Sequence, residues 1–437
     1  VRAGRFLRVL GLGLGLLAPA LLAPGLLACN SLQKRANADL PVWKKRPGGA
    51  LSIAYTRDLV ANSRAHGEPY ERGQPGLDVQ GRRVFVGSSD GGLYALSAPQ
   101  GEVLWRFETL SFVQCRPHYD VEEDVVYFGS HDGALYRVHA LDGALDWRLS
   151  TRSEIGREPI VRGELIYFAN ANDTLIAARR KSGEIVWTHH RSPAAGMEVA
   201  GYSGPALAFG RVYMGFSDGT ATAFDAATGQ EVWQPVDLAT EAEEALGEPP
   251  KYLDVDTTPI GLSTAAGDLV VFGSYAGGVY ALDAELGTLL WSNADVRGVS
   301  DLALFEEPAH VRGGIERPKR SLVIVSTGTS GLWALEPETG REVWRREVPR
   351  GGISGPAFVL GALLVNSSQL GTFLVSPVDG SLIDGIHTDL GVSGAPAAHG
   401  GRAFVLTNGG TLLALDVNAP GPYAVPPSHA PPEPFPY

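Results

Sequence analysis

The stretch DGGLYALSAPQGEVLW, Asp90 to Trp105, joins a turn signal, an apolar run, a second glycine turn and a tryptophan. It recurs as DGALYRVHALDGALDW (Asp132 to Trp147), NDTLIAARRKSGEIVW (Asn172 to Trp187) and DGTATAFDAATGQEVW (Asp218 to Trp233). AGGVYALDAELGTLLW (Ala276 to Trp291) and TSGLWALEPETGREVW (Thr329 to Trp344) come next, then QLGTFLVSPVDGSLID, which carries Asp384 where the others have Trp, and the shorter GGTLLALDVN. The turn glycine stands four positions before each of these residues, at Gly101, Gly143, Gly183, Gly229, Gly287, Gly340 and Gly380. The basic interval is close to the length of a four-stranded propeller blade, so the repeat predicts an all-β, eight-bladed β-propeller of antiparallel blades.

Within a unit, Val84-Phe85-Val86 reads as a strand, Asp90-Gly91 as a hairpin turn, Leu93 to Leu96 as the next strand and Val103-Leu104-Trp105 as the start of a fourth. A proline, which needs no donor at a strand start, announces each first strand: Pro75, Pro117, Pro159, Pro205, Pro259, Pro356 and Pro396, with Leu302 in the sixth unit. The eighth unit lacks a fourth strand, while Leu51 to Tyr55 forms a strand with no unit of its own. Pairing the two closes the ring and hides an open sheet edge.

The chain has 437 residues, 44% of them hydrophobic, and a formal charge of −12. An acidic body argues against nucleic acid as the main partner, because phosphate neutralisation needs clusters of Lys and Arg. Arg2, Arg5 and Arg8 precede an uncharged run from Val9 to Ala28 that ends LLACN at Cys29. That order reads as a secretory leader, and the glycines and prolines inside the run weigh against an uncleaved anchor helix. Leu26-Leu27-Ala28-Cys29 resembles a bacterial lipobox, which implies lipidation at Cys29; in that class Asn30 at the next position favours the outer membrane. The expected divisions are a signal peptide over 1–28, a tether over 29–50, the propeller over 51–418 and a proline-rich tail over 419–437. With Cys29 acylated, Cys115 is left alone, either as a small buried residue or as a reactive thiol.

The DGxLYALDxxTGxxLW pattern resembles the pyrroloquinoline-quinone enzyme repeat over roughly residues 51 to 418. Eight such blades behind a lipobox resemble the BamB family, the lipoproteins of the outer-membrane β-barrel assembly machinery. That resemblance implies a non-catalytic scaffold, lipid-anchored to the outer membrane and facing the periplasm, whose partners are assembly proteins, chiefly BamA-like periplasmic domains. It implies structural roles for the glycines and for Trp105, Trp147, Trp187, Trp233, Trp291 and Trp344. The alternative is a quinone-binding dehydrogenase or ligand sensor using the channel mouth, since one fold hosts many functions.

Other chemistry is thinly supported. The quinone dehydrogenases carry an adjacent cysteine pair, and this chain has only Cys29 and Cys115, so pyrroloquinoline quinone is not expected as a cofactor. Asp254 and Asp256, read as alternating strand residues, share a face but lack an assignable third calcium ligand. GYSGP around Ser203 and GISGP around Ser354 have proline where a nucleophile elbow needs glycine. His189 and His190 face opposite sides of a strand, and no Cys/His spacing supports zinc. No catalytic or metal site is expected.

Function is therefore sought where the period breaks. Gln234 to Thr257 carries DLATEAEEAL, read as an amphipathic helix with a Thr240/Glu243 capping box; Asp237, Leu238, Glu241 and Glu244 are its partner-binding candidates. Glu306 to Arg320 supplies Arg312 and Arg317, on the opposite end of the ring. Each insertion is either a solvated loop or a docking element. Arg116, Arg157, Glu158 and Asp301, beside the blade starts, are the channel-mouth candidates, as a solvated lining or as a binder of a small anion or partner carboxylate.

Overall fold

The computed structural model describes residues 49–418 except 60–69, 79, 81, 193–201, 249–251, 253, 308, 313–314, 318, 349 and 389. The leader, Cys29, most of the tether and the tail lie outside the described residues. Among those described, eight four-stranded antiparallel sheets form the eight blades of a propeller. Blade 1 contains Gly76–Leu77, Arg83–Gly87, Gly92–Ser97 and Val103–Glu108. In the other blades the strands follow the same order A to D, and A strands of neighbouring blades touch one another, which places them at the axis. The D-to-A and B-to-C connections therefore share one end of the channel, the DA end; the A-to-B and C-to-D turns share the other, the AB end.

The inner strands of seven blades begin at Gly76, His118, Ile160, Ala206, Ile260, Ala357 and Ala397, each one residue after its proline. In blade 6 there is no proline to end pairing, and the inner strand starts earlier, at Val299, with a register shift before Asp301. The residue two before the proline anchors the start of the blade. Ser203 Oγ accepts from Gly215 N (3.3 Å), Thr257 Oγ1 from Gly273 N (2.9 Å) and Ser354 Oγ from Asn366 N (3.1 Å). Cys115 Sγ takes the same place, accepting from Gly129 N at 3.0 Å. It is fully buried, and burial pushes its thiol up to about 12, so Cys115 is a packing residue and not a reactive thiolate.

The B and C strands are almost wholly buried, and the apolar clusters lie between adjacent blades; Phe85, Leu93, Trp105, Val126 and Phe128, for example, join blades 1 and 2. What repeats most closely is a contact between the D strand and the next blade. Gly143, Gly183, Gly229, Gly287, Gly340 and Gly380 have φ between 67° and 73°, a left-handed conformation that favours glycine. At each, an added Cβ would strike the ring of Trp105, Trp147, Trp187, Trp233, Trp291 or Trp344 in turn. The indole nitrogen then donates to the carbonyl three residues before the glycine: Trp105 to Ala140 (3.0 Å), Trp147 to Arg180 (3.1 Å), Trp187 to Ala226 (3.1 Å), Trp291 to Pro337 (2.8 Å) and Trp344 to Pro377 (2.9 Å).

The ring closes as expected, through a longer strand, Leu51–Asp58, paired antiparallel with Thr411–Val417 as the fourth strand of blade 8. Its Tyr55 substitutes for tryptophan: the ring lies on Gly101, 2.3 Å from the ideal Cβ position, and the hydroxyl donates to Ala98 O at 2.8 Å. The missing seventh tryptophan has its explanation here. Blade 8 receives its D strand from the N-terminal segment, so it has no C-to-D turn and no glycine to cover. Asp384 instead accepts from Leu51 N at 2.8 Å, fixing the first amide of the closing strand.

Blade 4 departs from the expectation. Trp233 lies outside the fourth strand, which is only Val236–Asp237, and its indole N–H has no hydrogen-bond partner, because Tyr213 and Arg211 already donate to Ala284 O. The chain then enters helix α1 (Leu238–Leu246). Its cap is Asp237, which accepts from Thr240 N at 3.0 Å, rather than Thr240 itself, and Gly247 at φ 76° ends it.

Replacing Gly340 by alanine should cost roughly 2–4 kcal/mol, combining overpacking with an unfavourable φ, because its Cβ would sit 2.2 Å from Trp291. Gly400→Ala, where φ is similarly positive but nothing lies within 4 Å, should cost only about 1 kcal/mol. Chemical denaturation of both variants measures the difference; equal losses would show that the clamp adds nothing.

Candidate functional site

The residues just before the inner strands converge at the DA end of the channel. Arg157, preceding blade 3, donates from Nε to Tyr202 O (2.6 Å) and from Nη2 to Asp256 O (2.7 Å), so one guanidinium ties blade 3 to the starts of blades 4 and 5. Arg116, preceding blade 2, reaches Pro396 O of blade 8 at 3.0 Å. Its Nε lies 3.9 Å from Glu158, whose other oxygen is 3.6 Å from His118 Nδ1. Asp301, on blade 6, places its carboxylate against Gly355 of blade 7, 2.1 Å from the ideal Cβ position. The backbone needs glycine there because a methyl group would displace that carboxylate.

The structure thus brings together Arg116, Arg157, Glu158 and Asp301 and adds Asp254 and Asp256, which are buried. Burial pushes Asp256 up to about 7, with Arg157 opposing and Asp254 and Asp301 adding to the rise. Its Oδ1 has no hydrogen-bond partner. Burial likewise raises Asp301 above the usual carboxylate range, against the pull of Arg157 and Arg116. Asp301 keeps some contact with the channel, but protein surrounds it on most sides. Four carboxylates face two guanidiniums, and both guanidiniums spend donors on backbone carbonyls. The mouth thus holds more carboxylates than guanidiniums, and Arg116 Nε has no hydrogen-bond partner among the described residues.

The DVDT segment that holds Asp254 and Asp256 is not a strand, yet Val255 between them enters the apolar cluster of blades 4 and 5 and the two carboxyls act on one another. Among the described residues no group of three His, Cys, Asp or Glu side chains is arranged to hold a metal ion. Ser203 and Ser354 donate to backbone carbonyls at 2.8 and 3.1 Å, in the blade-start roles described above. His189 packs against Phe224 with its basicity lowered by burial, while His190 contacts Thr174 on the other side.

Helix α1 follows the D strand of blade 4 and so belongs to the DA end. Leu238 and Ala242 are buried in the cluster between blades 4 and 5 with Phe272 and Tyr280. Leu238, only 1% exposed, is therefore a core residue and unavailable to a partner. Asp237 is exposed, yet its carboxylate is engaged in capping. Glu243 and Glu244 face solvent and Glu241 is half-buried; none makes an ion pair among the described residues. Glu241 in the first turn complements the helix dipole, whereas Glu243 and Glu244, with no base in the last turn, oppose it, and the three like charges repel one another. Exposed aromatics at the same end, Tyr70 (46%) and Phe112 (47%), had no periodic signal to reveal them.

The second insertion lies at the AB end. The inner strand of blade 6 runs on to Glu307, and a further hairpin, His310–Arg312 with Ile315–Arg317, extends it. Arg312 and Arg317 are thus hairpin residues, remote from the channel-mouth cluster at the other end. Lys319 pairs with Glu306 at 2.6 Å.

Fold and site together define a propeller of the quinone-enzyme repeat class whose channel mouth is lined by a cluster of carboxylates and two guanidiniums. The family described as "Outer membrane protein assembly factor BamB" matches residues 41–143, 114–303, 244–387 and 276–419, and the chain belongs to this family. An outer membrane protein assembly factor BamB of Legionella pneumophila is 26% identical over 231 residues, 52% of this chain and 54% of that relative. The chain thus spans about half the length of that relative, whereas the BamB of Burkholderia pseudomallei, 24% identical over 395 residues, is covered to 92% by 88% of this chain. A polyvinylalcohol dehydrogenase of a Pseudomonas species is 26% identical over 231 residues, 45% of this chain and 35% of that protein. The crystal structure of BamB from Moraxella catarrhalis superimposes with a TM-score of 0.63 at 16% identity, covering 84% of this chain and 99% of that one, and shows the shared fold.

Asp256 sets a pH dependence with a definite sign. Its carboxyl is raised from 3.8 to about 7, so the folded chain holds this proton more tightly than the unfolded chain, and the associated stability, full below the unfolded value, is lost as pH rises towards 7. Asp256→Asn should match wild type in melting temperature near pH 4 and exceed it at pH 8. A constant difference across that range would contradict the assignment.

Proposed function

We propose that the chain is a non-catalytic scaffold of outer-membrane β-barrel assembly, lipid-anchored through Cys29, that docks partner proteins on the DA end of its propeller. The observation that carries this reading is the unpaired acidic face of α1 beside a mouth in which carboxylates outnumber guanidiniums. Such a surface favours a partner with basic side chains and orients its approach. The direction of the chain supports the same choice of end. The closing strand starts at Leu51 on the AB end and reaches Asp58 at the DA end, so the tether leaves from the end opposite the acidic surface. A protein held to a membrane through that tether keeps its DA end free for soluble periplasmic domains, such as those of BamA-like barrel proteins.

The same features weigh against a quinone cofactor. A quinone bearing carboxylates would meet more carboxyl groups than guanidiniums at the mouth, and Arg116 and Arg157 each spend donors on backbone carbonyls. The fully buried Cys115 supplies no partner for an adjacent-cysteine device. A second reading, as a dehydrogenase, rests on the similarity to the polyvinylalcohol enzyme.

Crosslinking in native membranes should recover components of barrel assembly, and the double variant Glu241→Lys/Glu244→Lys should lower that yield severalfold without changing the circular dichroism. Recovery of no such component would overturn the assembly role, and an unchanged yield would overturn the choice of surface. Incubating the purified protein with pyrroloquinoline quinone and calcium should leave its absorbance that of the free quinone; stoichiometric uptake would favour the enzyme reading.

A further inference from the structure

One joint of the ring is built differently from the others. Opposite the tryptophan or its substitute, blades 1, 3, 5, 6 and 8 carry Ala95, Ala177, Ala281, Ala334 and Ala414, and blade 7 carries Leu374; blade 2 carries Arg137. The carbonyl that accepts from the clamping side chain likewise belongs to alanine or proline, at Ala98, Ala140, Ala226, Pro337 and Pro377, except that Trp147 donates to Arg180. Both departures fall on the joint between blades 2 and 3. A third accompanies them: the A-to-B turn of blade 2 has four residues, 121–124, where blades 3, 4, 5, 7 and 8 have two.

That longer turn brings carboxylates to both arginines. Arg180 donates to Asp120 from Nη1 at 3.1 Å and to Glu122 from Nη2 at 2.8 Å. Glu123 lies between the two guanidiniums, 3.4 Å from Arg137 Nη2 and 3.7 Å from Arg180 Nη2, with Lys181 Nζ at 3.2 Å. Arg137 also pairs with Asp146 and donates from Nε to the Tyr127 hydroxyl (3.1 Å), which in turn donates to Arg180 O (3.1 Å). Arg137, Arg180 and Asp120 are buried, and Arg180 Nε has no hydrogen-bond partner. Such a network gains little over the apolar residues that fill the other joints, because desolvation offsets the attraction, whereas burying one of its charges without the rest is strongly unfavourable. It therefore does less to hold the right neighbour than to exclude a wrong one. Exclusion matters in this chain. Its blades present similar strands, glycine turns and tryptophans, so a blade can stack on the wrong neighbour, or on a blade of a second copy, as folding proceeds.

We propose that Asp120, Glu123 and Arg137 of blade 2 form, with Arg180 of blade 3, an assembly key that admits only blade 3 behind blade 2 while the ring folds. With any other neighbour, blade 2 would bury Asp120 without its guanidinium, and blade 3 would bury Arg180 without its carboxylates. This inference does not depend on the docking role proposed for the DA end.

The full chain carrying Asp120→Asn/Glu123→Ala/Arg137→Ala/Arg180→Ala has at this joint the uncharged character of the others. Its melting temperature should stay within about 5 °C of wild type, while the yield of monomeric native protein on dilution from denaturant should fall severalfold, with the remainder eluting as oligomers. An unchanged yield would overturn the key. A larger fall in melting temperature would also overturn it, because the network would then be a plain stabilising contact. The wild-type chain supplies a measurement that needs no variant. In pulse-labelled hydrogen exchange during refolding, Val125–Gly129 and Leu165–Asn170 should gain protection no later than Gly267–Ser274 and Arg320–Thr327 of blades 5 and 6. Later protection would overturn the key, since a joint that forms last excludes nothing.

Discussion

The contact on which the ring depends is the indole laid on the turn glycine of the following blade. It solves two problems together. A sheet of four short strands cannot bury both faces by itself, and a circular stack needs a fixed angle between neighbours. A large flat side chain on a backbone without a Cβ brings the blades close, and the indole N–H, donating to the carbonyl three residues before the glycine, fixes the direction of approach. In blades 1, 2, 3, 5 and 6 the third-to-fourth strand pairing shifts register immediately beside the tryptophan, as between Ala95 and Leu96 opposite Trp105, so the bulge aims the ring outward at its neighbour.

Where the clamp is altered, the alteration follows from the chain's path. Closure places strand Leu51–Asp58 in blade 8, and Tyr55 reproduces both halves of the contact on Gly101. The same closure removes the glycine turn from blade 8, which leaves Asp384 free to hold the first amide of the incoming strand. In blade 4 the path from the D position into α1 draws the chain away, and Trp233 keeps its stacking on Gly287 while losing its acceptor to Tyr213 and Arg211. The period thus breaks most visibly where the backbone leaves the ring for a helix.

A good part of the candidate site was legible in the residues before the blade-start prolines, because Arg116, Arg157, Glu158 and Asp301 stand out among small or neutral neighbours. Their partners were harder to read. Arg157 crosses from blade 3 to the carbonyl of Asp256 on blade 5, and Arg116 from blade 2 to blade 8, contacts set by ring curvature that no local spacing encodes. The excess of carboxylates emerges only when those side chains are counted in one place. Leu238 illustrates the opposite error: at near-helical spacing beside glutamates it looked available, yet the burial of one helix face took it into the core.

The sequence by itself determined the blade count, the strand order within each blade, the residues that start and turn the strands, and the identity of the closing strand. These are readable because each follows from a local rule: a proline without a donor, a glycine at positive φ, or alternating apolar residues that bury a strand. Only the tertiary structure decided which end of the channel carries the acidic helix, that the two guanidiniums at the mouth are bonded to backbone carbonyls of other blades, that Cys115 is a hydrogen-bonded packing residue, and why Asp384 stands where a tryptophan was expected. Those features depend on which blades face one another across the axis, and that relation exists only once the ring is closed.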